Sequence, residues 1–430
     1  MWEEDKKINI TIVGMGYVGI IQAVGLNILG YKTKCFDIDT GKIDNYKQGE
    51  IHIYEEGLKE QLNDSLRDGL IEFTSDVNSA YQNADVIFIC VNTPENDDGS
   101  SNLKYFYQAI EGIKNTIRKD CVLVIKSTVP VQTGEKLQKA FSDFAFKVNV
   151  ISNPEFLSQG TALKDFLNPQ RIVIGGADQE SIEKIKQLYT GLDSPFVITS
   201  NTNAEMIKYA SNSFLALKIS FINDIANICE RVGANINDVT QGMKLDARIG
   251  DRYLKEGLGF GGSCLIKDTM SLAHTATSYG YKPQTLISAL ETNQKQIYKF
   301  LDLLYMSNVD LYGKTIAVLG LAFKKNSDDI RHSIAIKNIL KMLELGAKVK
   351  VYDPKAMEKF NCDGVNKCTN VKSCLENFDY CFVFTEWDEF IELEEQDFVS
   401  LMNNPVVFDG RNCLKNICNS KIIKYYGIGV

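Results

Sequence analysis

A glycine-rich turn between an apolar strand and an apolar helix is the feature that most constrains the fold of this chain. Residues 8–13 form a short, apolar, β-branched run that ends directly in Gly14-Met-Gly16-Tyr-Val-Gly19. The apolar stretch 17–29 predicts a helix, and residues 32–36 predict a second strand. Together these segments predict a βαβ unit of about 30 residues.

The glycines and the acid after the second strand indicate a dinucleotide site. In such a unit the first glycine permits a tight turn, the second lets the backbone approach a pyrophosphate, and the third allows close helix packing. The helix N-terminus attracts the diphosphate. Asp37 follows the second strand, where a carboxylate binds the ribose hydroxyls, which favours NAD over NADP. Three nearby lysines keep a 2′-phosphate, and therefore NADP, open as the alternative: Lys32, Lys34 and Lys42.

Apolar strands alternate with helical stretches through the first 200 residues. Further strands are predicted at 85–91, 121–125, 148–151 and 171–174. Such alternation predicts an α/β fold in which a doubly wound parallel sheet is covered on both faces. We therefore predict that residues 1–200 form an N-terminal, NAD-binding, Rossmann-like domain.

The pattern changes to helical periodicity over residues 201–305. Apolar residues recur at helical spacing from Ala204 to Val232, which predicts one long spine helix. Two helices broken near Asn212 or Asn223 are the alternative. This central helical domain is predicted to carry a dimer interface and a reactive cysteine loop.

Strands return in residues 306–430, which predict a second Rossmann-like domain. Strands are predicted at 314–320, 348–352, 379–384 and 406–408. Because this segment has Gly320 alone where the first domain has three glycines, it predicts a related architecture without a second dinucleotide site.

Composition and charge exclude several classes of protein. The chain has 430 residues, with 47 Lys+Arg against 55 Asp+Glu, and 44% of its residues are hydrophobic, as in an ordinary soluble globular protein. The acidic balance argues against nucleic-acid or membrane-surface partners. The 11 cysteines include no Cys-x-x-Cys pair, so neither a metal site nor a disulfide framework is expected. The charged N-terminus predicts a cytoplasmic protein.

One cysteine stands where a nucleophile would be expected. Cys264 follows the flexible run Gly259-Phe-Gly-Gly and precedes a predicted helix at 267–272. A thiol at such a junction feels the positive end of the helix dipole, and a nearby lysine favours the thiolate. Because most cysteines are buried and inert, the residues alone leave a nucleophile and a structural thiol equally open.

Six motifs follow one another in a characteristic order. They are Gly14-Met-Gly-Tyr-Val-Gly19, Val91-Asn-Thr-Pro94, Ser127-Thr-Val-Pro130, Asn153-Pro-Glu-Phe-Leu157, Phe260-Gly-Gly-Ser-Cys264 with Lys267-Asp268, and Phe323-Lys324 with Asp328-Asp-Ile-Arg331. By these motifs the chain resembles the UDP-glucose/GDP-mannose dehydrogenase family over about residues 8–353.

The resemblance implies an NAD-dependent oxidoreductase that carries the C6 hydroxymethyl of a nucleotide sugar to a carboxylate, through a thiohemiacetal and a thioester on cysteine. UDP-glucose is the first candidate substrate. GDP-mannose and a UDP-N-acetylhexosamine are alternatives within the same chemistry, and a non-catalytic regulator that binds a nucleotide sugar is the alternative from another class. A homodimer is expected, with Arg248 able to reach the neighbouring subunit.

The resemblance also implies roles for individual residues. Cys264 matches the nucleophile. Lys208 and Asn212, four residues apart on one helix face, match the groups that stabilise an oxyanion. Asp268 is expected to position water or a lysine, Glu155 matches a candidate general base, and Thr128 matches a residue that holds a catalytic water.

Two sets of binding residues follow by similarity. The cofactor set is Gly14, Gly16, Tyr17, Val18, Gly19, Asp37, Lys42, Thr93, Thr128, Glu155, Lys267 and Arg331. The substrate set is Glu155, Phe156, Leu157, Lys208, Asn212, Arg248, Tyr253, Phe260, Gly261 and Lys324. The chain departs from the family pattern at Gln159, Ile266 and His332, where the family usually has a carboxylate, a proline and a carboxylate.

Overall fold

The structure is a computed structural model that describes residues 8–430, and it divides into two compact units. One unit comprises the chain up to Ser211 together with His274–Tyr281, and the other comprises Asn212–Ala273 with Lys282–Val430. The charged segment 1–7, which enters the prediction of compartment, lies outside the described residues. None of the described helices is both long and apolar enough to cross a bilayer.

Eight strands form the sheet of the first unit: β1 (Ile10–Val13), β2 (Thr33–Phe36), β3 (Ile71–Thr74), β4 (Val86–Ile89), β5 (Cys121–Ile125), β6 (Val148–Ser152), β7 (Ile172–Gly175) and β8 (Phe196–Thr199). Their order is β3-β2-β1-β4-β5-β6-β7-β8. All neighbours are parallel except β6 and β7, which pair antiparallel through Ser152 and Gly175. The prediction of a wholly parallel sheet is therefore wrong at this pair, because a continuous apolar strand looks the same in either direction.

Helices cover both faces of this sheet: α1 (Tyr17–Ile28), α2 (Thr40–Lys47), α3 (Leu58–Arg67), α4 (Val77–Tyr81), α5 (Lys104–Thr116), α6 (Thr133–Ala140), α7 (Ala162–Leu167) and α8 (Gln179–Gln187). Strand β4 shows that both faces of the sheet are covered, since all of its residues are buried. Val86 and Phe88 pack into one core and Ile87 and Ile89 into another, as the alternation of side chains along a strand requires.

A single helix, α9 (Asn201–Val232), runs unbroken through 32 residues. The long helix is therefore confirmed and the alternative of two helices is wrong. Residues 201–211 of α9 belong to the first unit and residues 212–232 to the second. The second unit also contains α10 (Ile236–Lys244), α12 (Gln284–Gln296) and α13 (Lys299–Met306), and α11 (Leu265–Ser278) begins in it.

Six strands form the sheet of the second unit: β9 (Thr315–Leu319), β10 (Lys348–Tyr352), β11 (Val365–Lys367), β12 (Tyr380–Val383), β13 (Val406–Asp409) and β14 (Lys424–Tyr426). They pair in parallel in the order β11-β10-β9-β12-β13-β14. The remaining helices are α14 (Ile334–Glu344), α15 (Val371–Leu375), α16 (Asp388–Ile391) and α17 (Glu395–Leu401). The predicted fold class, with two doubly wound sheets and a helical middle, is confirmed.

Each sheet has one point where the strand order reverses. In the first unit the reversal lies between β1 and β4, and in the second between β9 and β12. Ligands of open α/β sheets bind beside the carboxyl ends of the strands at such points. The glycine-rich turn follows β1 directly, so the fold places it at the first of these two positions.

Candidate active site

The three glycines after β1 differ in what surrounds them. Gly14 has φ +90°, and a Cβ on it would lie 2.9 Å from Val91. A Cβ on Gly19 would lie 2.0 Å from the Gly14 carbonyl oxygen, whereas one on Gly16 would meet nothing closer than Asn92 Oδ1 at 3.6 Å. Packing within the protein therefore explains Gly14 and Gly19. The space beside Gly16, at the N-terminus of α1 where no side chain caps the helix, fits the pyrophosphate of a dinucleotide.

Asp37 stands at the end of β2 with its carboxylate turned toward this turn. Its Oδ2 accepts the Met15 N–H at 2.8 Å and pairs with Lys42 Nζ at 3.0 Å, and its Oδ1 accepts the Asp39 N–H at 3.0 Å. Lys42, predicted near the cofactor, therefore contacts the acid expected to bind the ribose. This acid is largely buried and fixed in place before any ribose hydroxyl arrives.

Tyr17 and Val18 lie in the first turn of α1 but contact protein. The Tyr17 hydroxyl donates to the Glu55 carboxylate and accepts the Gly160 N–H at 3.1 Å. Burial, reinforced by Glu55, raises the pKa of Tyr17. Val18 packs against the core of the first unit. The Tyr17 side chain thus ties the glycine-rich turn to the segment beside Gln159.

The loops after β4 and β5 are tied to each other. Thr93 Oγ1 donates to the Thr128 carbonyl at 2.8 Å, and Ser127 Oγ donates to the Val91 carbonyl at 2.7 Å. Strand β4 borders the reversal point, and β5 is the next strand in the sheet. These bonds therefore fix Thr93 and Thr128 at the edge where a cofactor is expected.

Glu155 and Lys208 form a buried ion pair in the first unit. Glu155 Oε1 lies 2.9 Å from Lys208 Nζ, and Glu155 Oε2 accepts the Leu157 N–H at 2.6 Å. Burial by itself would raise the pKa of Glu155, but the Lys208 ammonium and the Leu157 N–H outweigh it, and the pKa lies below its usual value. The structure thus brings three predicted residues together, with Glu155 as a carboxylate.

Two cations flank the ring of Phe156. The Arg171 guanidinium carbon lies 3.7 Å from the ring centroid and Lys208 Nζ lies 5.4 Å from it. Sequence reasoning missed Arg171, which lies just before β7 with no motif around it. It also missed Lys126, whose buried ammonium donates to Asn153 Oδ1 at 2.9 Å, although this lysine directly precedes the Ser127-Thr-Val-Pro motif.

In the second unit Cys264 is exposed and directly precedes α11. The predicted helix start at residue 267 is thus two residues late, and the thiol stands closer to the helix N-terminus than expected. Ser263 Oγ lies 3.6 Å from Cys264 Sγ. The structure removes the objection that this thiol is buried, because seven of the other cysteines are buried and Cys264 is not.

Asp268, in the first turn of α11, contacts two of the predicted residues. Its Oδ2 accepts Asn212 Nδ2 at 2.6 Å, and its Oδ1 lies 2.6 Å from Lys267 Nζ. Asp268 is 1% exposed, so the two donors balance a carboxylate that has no access to water. The Lys267 ammonium, expected near the cofactor, contacts Asp268, as one of the roles predicted for this acid requires.

The loop before Cys264 needs its glycines. A Cβ on Gly261 would lie 2.5 Å from the His332 carbonyl oxygen. The Asn293 side chain binds both backbone groups of Phe260, at 2.7 and 3.0 Å. The Gly262 N–H donates to the Arg331 carbonyl at 3.1 Å. The departure at His332, which has φ +50°, therefore lies against the cysteine loop.

Four further predicted binding residues lie on loops of the second unit. The Arg248 and Arg331 side chains each pair with an acid two residues earlier, at 2.6 Å. Tyr253 has φ +61° and is 38% exposed. Lys324 Nζ lies 5.7 Å from the Phe323 ring centroid. Their roles stay predictions.

Comparison with known proteins gives matches over nearly the whole chain. Residues 8–193, 202–295 and 317–416 match the NAD binding domain, the central domain and the UDP binding domain of the UDP-glucose/GDP-mannose dehydrogenase family. The UDP-glucose 6-dehydrogenase TuaD of Bacillus subtilis is 42% identical over 94% of this chain and 89% of that protein.

Solved structures resemble the fold equally fully. A UDP-glucose dehydrogenase from Pyrobaculum islandicum has a TM-score of 0.93 at 34% identity, covering 100% of this chain and 99% of its own. A UDP-D-ManNAc dehydrogenase from Pyrococcus horikoshii has a TM-score of 0.88 at 25% identity, covering 98% of this chain and 99% of its own.

Proposed function

Because the chain belongs to the UDP-glucose/GDP-mannose dehydrogenase family, we propose that it oxidises the C6 hydroxymethyl of UDP-glucose to a carboxylate in two steps, with NAD as the hydride acceptor. The observation that carries the proposal is the exposed Cys264 at the start of α11. A covalent handle is what separates a four-electron oxidation from an ordinary alcohol dehydrogenation.

UDP-glucose is favoured over the alternative sugars by the relatives. The relative at 42% identity is named for UDP-glucose, and the solved structure at 25% identity is named for an N-acetylated sugar. GDP-mannose stays an alternative, because the family model that matches residues 317–416 covers UDP-glucose and GDP-mannose dehydrogenases alike. The three predicted domains, 1–200, 201–305 and 306–430, are proposed to bind the cofactor, carry the cysteine and hold the nucleotide sugar.

When bound, NAD supplies the hydride acceptor for both oxidations, of the alcohol and of the thiol adduct. Gly14, Gly16, Gly19 and Asp37 are proposed to hold it. The Cys264 thiolate adds to the aldehyde carbon and so keeps the intermediate as a thiohemiacetal, then as a thioester. Water cleaves the C–S bond of the thioester, which releases the carboxylate and returns the thiol.

The remaining residues are proposed to manage charge and protons. Lys208 and Asn212 donate to the oxygen that becomes negative when the thiolate adds. Asp268 holds Asn212 with its amide donor turned in a fixed direction. Glu155 is ionised and paired, so it first holds Lys208 in place. It then accepts a proton from water during hydrolysis, and Thr128 is proposed to hold that water.

The test is turnover of purified protein with NAD and a panel of UDP- and GDP-sugars. We expect NADH from UDP-glucose, and two NADH for each sugar consumed. One NADH per sugar would refute the four-electron reaction. Tight binding of a nucleotide sugar without NADH formation would favour the regulator instead.

A further inference from the structure

A second buried carboxylate lies one helical turn before Lys208, and none of the predicted roles uses it. Glu205 is 4% exposed. Its Oε1 accepts the Gly134 N–H at 2.7 Å and the Ser152 hydroxyl at 3.1 Å, and its Oε2 accepts the Gln132 N–H at 2.7 Å. Both oxygens are therefore occupied, and every partner lies in the first unit.

These partners lie on the two segments that carry Thr128 and Glu155. Gln132 is the N-cap of α6, has φ +78° and makes no side-chain cap of its own. The Glu205 carboxylate supplies the cap from another helix. The loop between β5 and α6 contains Thr128, and Ser152 is the last residue of β6, three residues before Glu155.

The first turns of α9 present a row of anchoring side chains. Asn201 accepts the Ser152 N–H at 2.8 Å and donates to the Val150 carbonyl at 3.1 Å. Glu205 follows four residues later, and Lys208, which pairs with Glu155, follows three after that. Residues at this spacing share one helix face. Thr128, Ser152, Glu205 and Lys208 also line one small cavity of about 10 Å³.

We propose that Glu205 is a positioning residue that holds the Thr128 loop and the Glu155 loop in register with Lys208. The proposal deepens the proposed dehydrogenase function and rests on it for its effect on turnover. Glu205 does not touch substrate or cofactor in this role, because its oxygens are taken up by the loops.

The ionisation of Glu205 makes this role measurable. Burial raises the pKa of Glu205 to about 7, although the Gly134 N–H, the Ser152 hydroxyl and the Gln132 N–H partly offset the rise. Among the residues that line the small cavity, Lys208 is the other charged group, and it is paired with Glu155. On α6 the first turn carries Glu135, which is partly exposed. Gln132 accepts the Tyr279 hydroxyl at 2.8 Å.

The main experiment compares kcat of the wild type and Glu205→Gln from pH 6 to pH 8. A protonated carboxyl and an amide are alike in shape and charge. We therefore expect the ratio of the wild-type kcat to the Glu205→Gln kcat to approach one at pH 6. It should rise to about tenfold at pH 8, because loosened positioning costs turnover at this scale, while KM changes little. A ratio that stays constant with pH would mean that Glu205 only supports the fold, and would overturn the proposal.

Two further variants protect the test. Ser152→Ala removes one donor to the Glu205 carboxylate and so raises the pKa of Glu205. We therefore expect the midpoint at which kcat falls on the acid side to move to higher pH, and an unchanged midpoint would overturn the proposal. Asp178→Asn is the matched control, since Asp178 caps α8 through the Ser181 N–H at 2.9 Å. The kcat ratio of this control should stay near one at every pH.

Hydrogen exchange separates the inference from the proposed function. We expect backbone amides in residues 132–137 to exchange faster in Glu205→Gln than in the wild type, with no substrate present. If the wild type oxidises no nucleotide sugar, the proposed function fails, but the exchange result still tests whether Glu205 holds the loop before α6 in place. Equal exchange rates in the two proteins would overturn the positioning role of Glu205 itself.

Discussion

At the scale of single residues, the Glu155–Lys208 pair shows how two buried charges constrain each other. The pKa of Glu155 is depressed, since the effects of Lys208 and the Leu157 N–H exceed that of burial. A depressed carboxylate pKa gives stability that is present above the unfolded pKa and is lost as the pH falls through the folded value. The pair should therefore stabilise the fold at neutral pH and contribute less in acid.

Lys208→Met tests this balance. The substitution leaves Glu155 buried without its cation, so we expect the free energy of unfolding at pH 7 to fall by about 3 kcal/mol. The loss should shrink toward pH 4, where Glu155 can take up a proton. Denaturant unfolding at the two pH values measures it.

Lys186→Met serves as the control for that substitution. Lys186 pairs with Glu183 on the surface at 3.4 Å, and an exposed pair contributes only about 0–1 kcal/mol. Adding Glu155→Gln to Lys208→Met should recover part of the stability but none of the turnover. An equal loss at both pH values would contradict the assignment of charge to this pair.

The role of Cys264 is tested by Cys264→Ser, which preserves shape but lowers nucleophilicity. We expect kcat to fall by roughly 10³-fold or more, with nucleotide-sugar affinity unchanged in calorimetry. Cys418→Ser is the matched control, because Cys418 is also an exposed thiol of the second unit. Equal turnover of both variants and the wild type would rule out the thioester route.

Much of the candidate site could be predicted residue by residue, because the motifs stand directly beside strand ends. Arg171 and Glu205 could not. Each acts through a contact with a residue distant in sequence, Arg171 over Phe156 and Glu205 on Gly134. No local spacing reports such contacts. By contrast, the ion pairs of Lys267 with Asp268 and of Arg331 with Asp329 are local, and the first is one of the roles predicted for Asp268.

At the scale of elements, the strands that the sequence did not predict share one position. They are β3, β8, β11 and β14, and these are the four edge strands of the two sheets. Central strands are buried on both faces and form continuous apolar runs. Edge strands are partly exposed, as the burial of β8 and β11 shows. Charged or polar residues therefore interrupt the apolar run in β3, β11 and β14, whereas β8 is apolar but only four residues long.

The turn after β9 bears on the prediction that the second sheet has no second dinucleotide site. Asp353 follows β10 as Asp37 follows β2, but Asp353 is 1% exposed. Its Oδ2 accepts the N–H groups of Leu321 and Ala322 at 2.7 and 3.0 Å. These are backbone donors of the turn after β9, where a pyrophosphate would need them. Asp37 accepts one backbone N–H of its own turn, that of Met15, whereas Asp353 accepts two, which supports the prediction.

The glycine-rich turn after β1 offers a test with an internal control. Gly16→Ala places a methyl group where the protein leaves room, so we expect unchanged thermal stability and NAD affinity weakened at least tenfold. Gly19→Ala drives a Cβ toward the Gly14 carbonyl, so we expect it to lower the melting temperature. Calorimetry and thermal unfolding separate the two, and normal NAD affinity in the Gly16→Ala variant would refute the site.

At the scale of the whole molecule, an exposed apolar stripe on α9 bears on the proposed homodimer. Phe214, Phe221 and Ile228 are 60%, 48% and 52% exposed. They recur every seven residues, which is the period of a seam between two helices. Exposing large apolar side chains to water is unfavourable in free energy. We therefore propose that a second copy of the chain covers the stripe.

Phe221→Glu places a charge in the centre of this stripe. A buried, unpaired carboxylate opposes association, so we expect sedimentation at micromolar concentration to show a dimer for the wild type and a monomer for the variant. Tyr305→Glu is the control, since Tyr305 is 82% exposed on α13 and lies outside the stripe. A monomeric wild type, or a Phe221→Glu protein that remains dimeric, would contradict the assignment of this face. Because Arg248 is expected to reach the neighbouring subunit, the monomer should also bind UDP-glucose more weakly, whereas Tyr305→Glu should not.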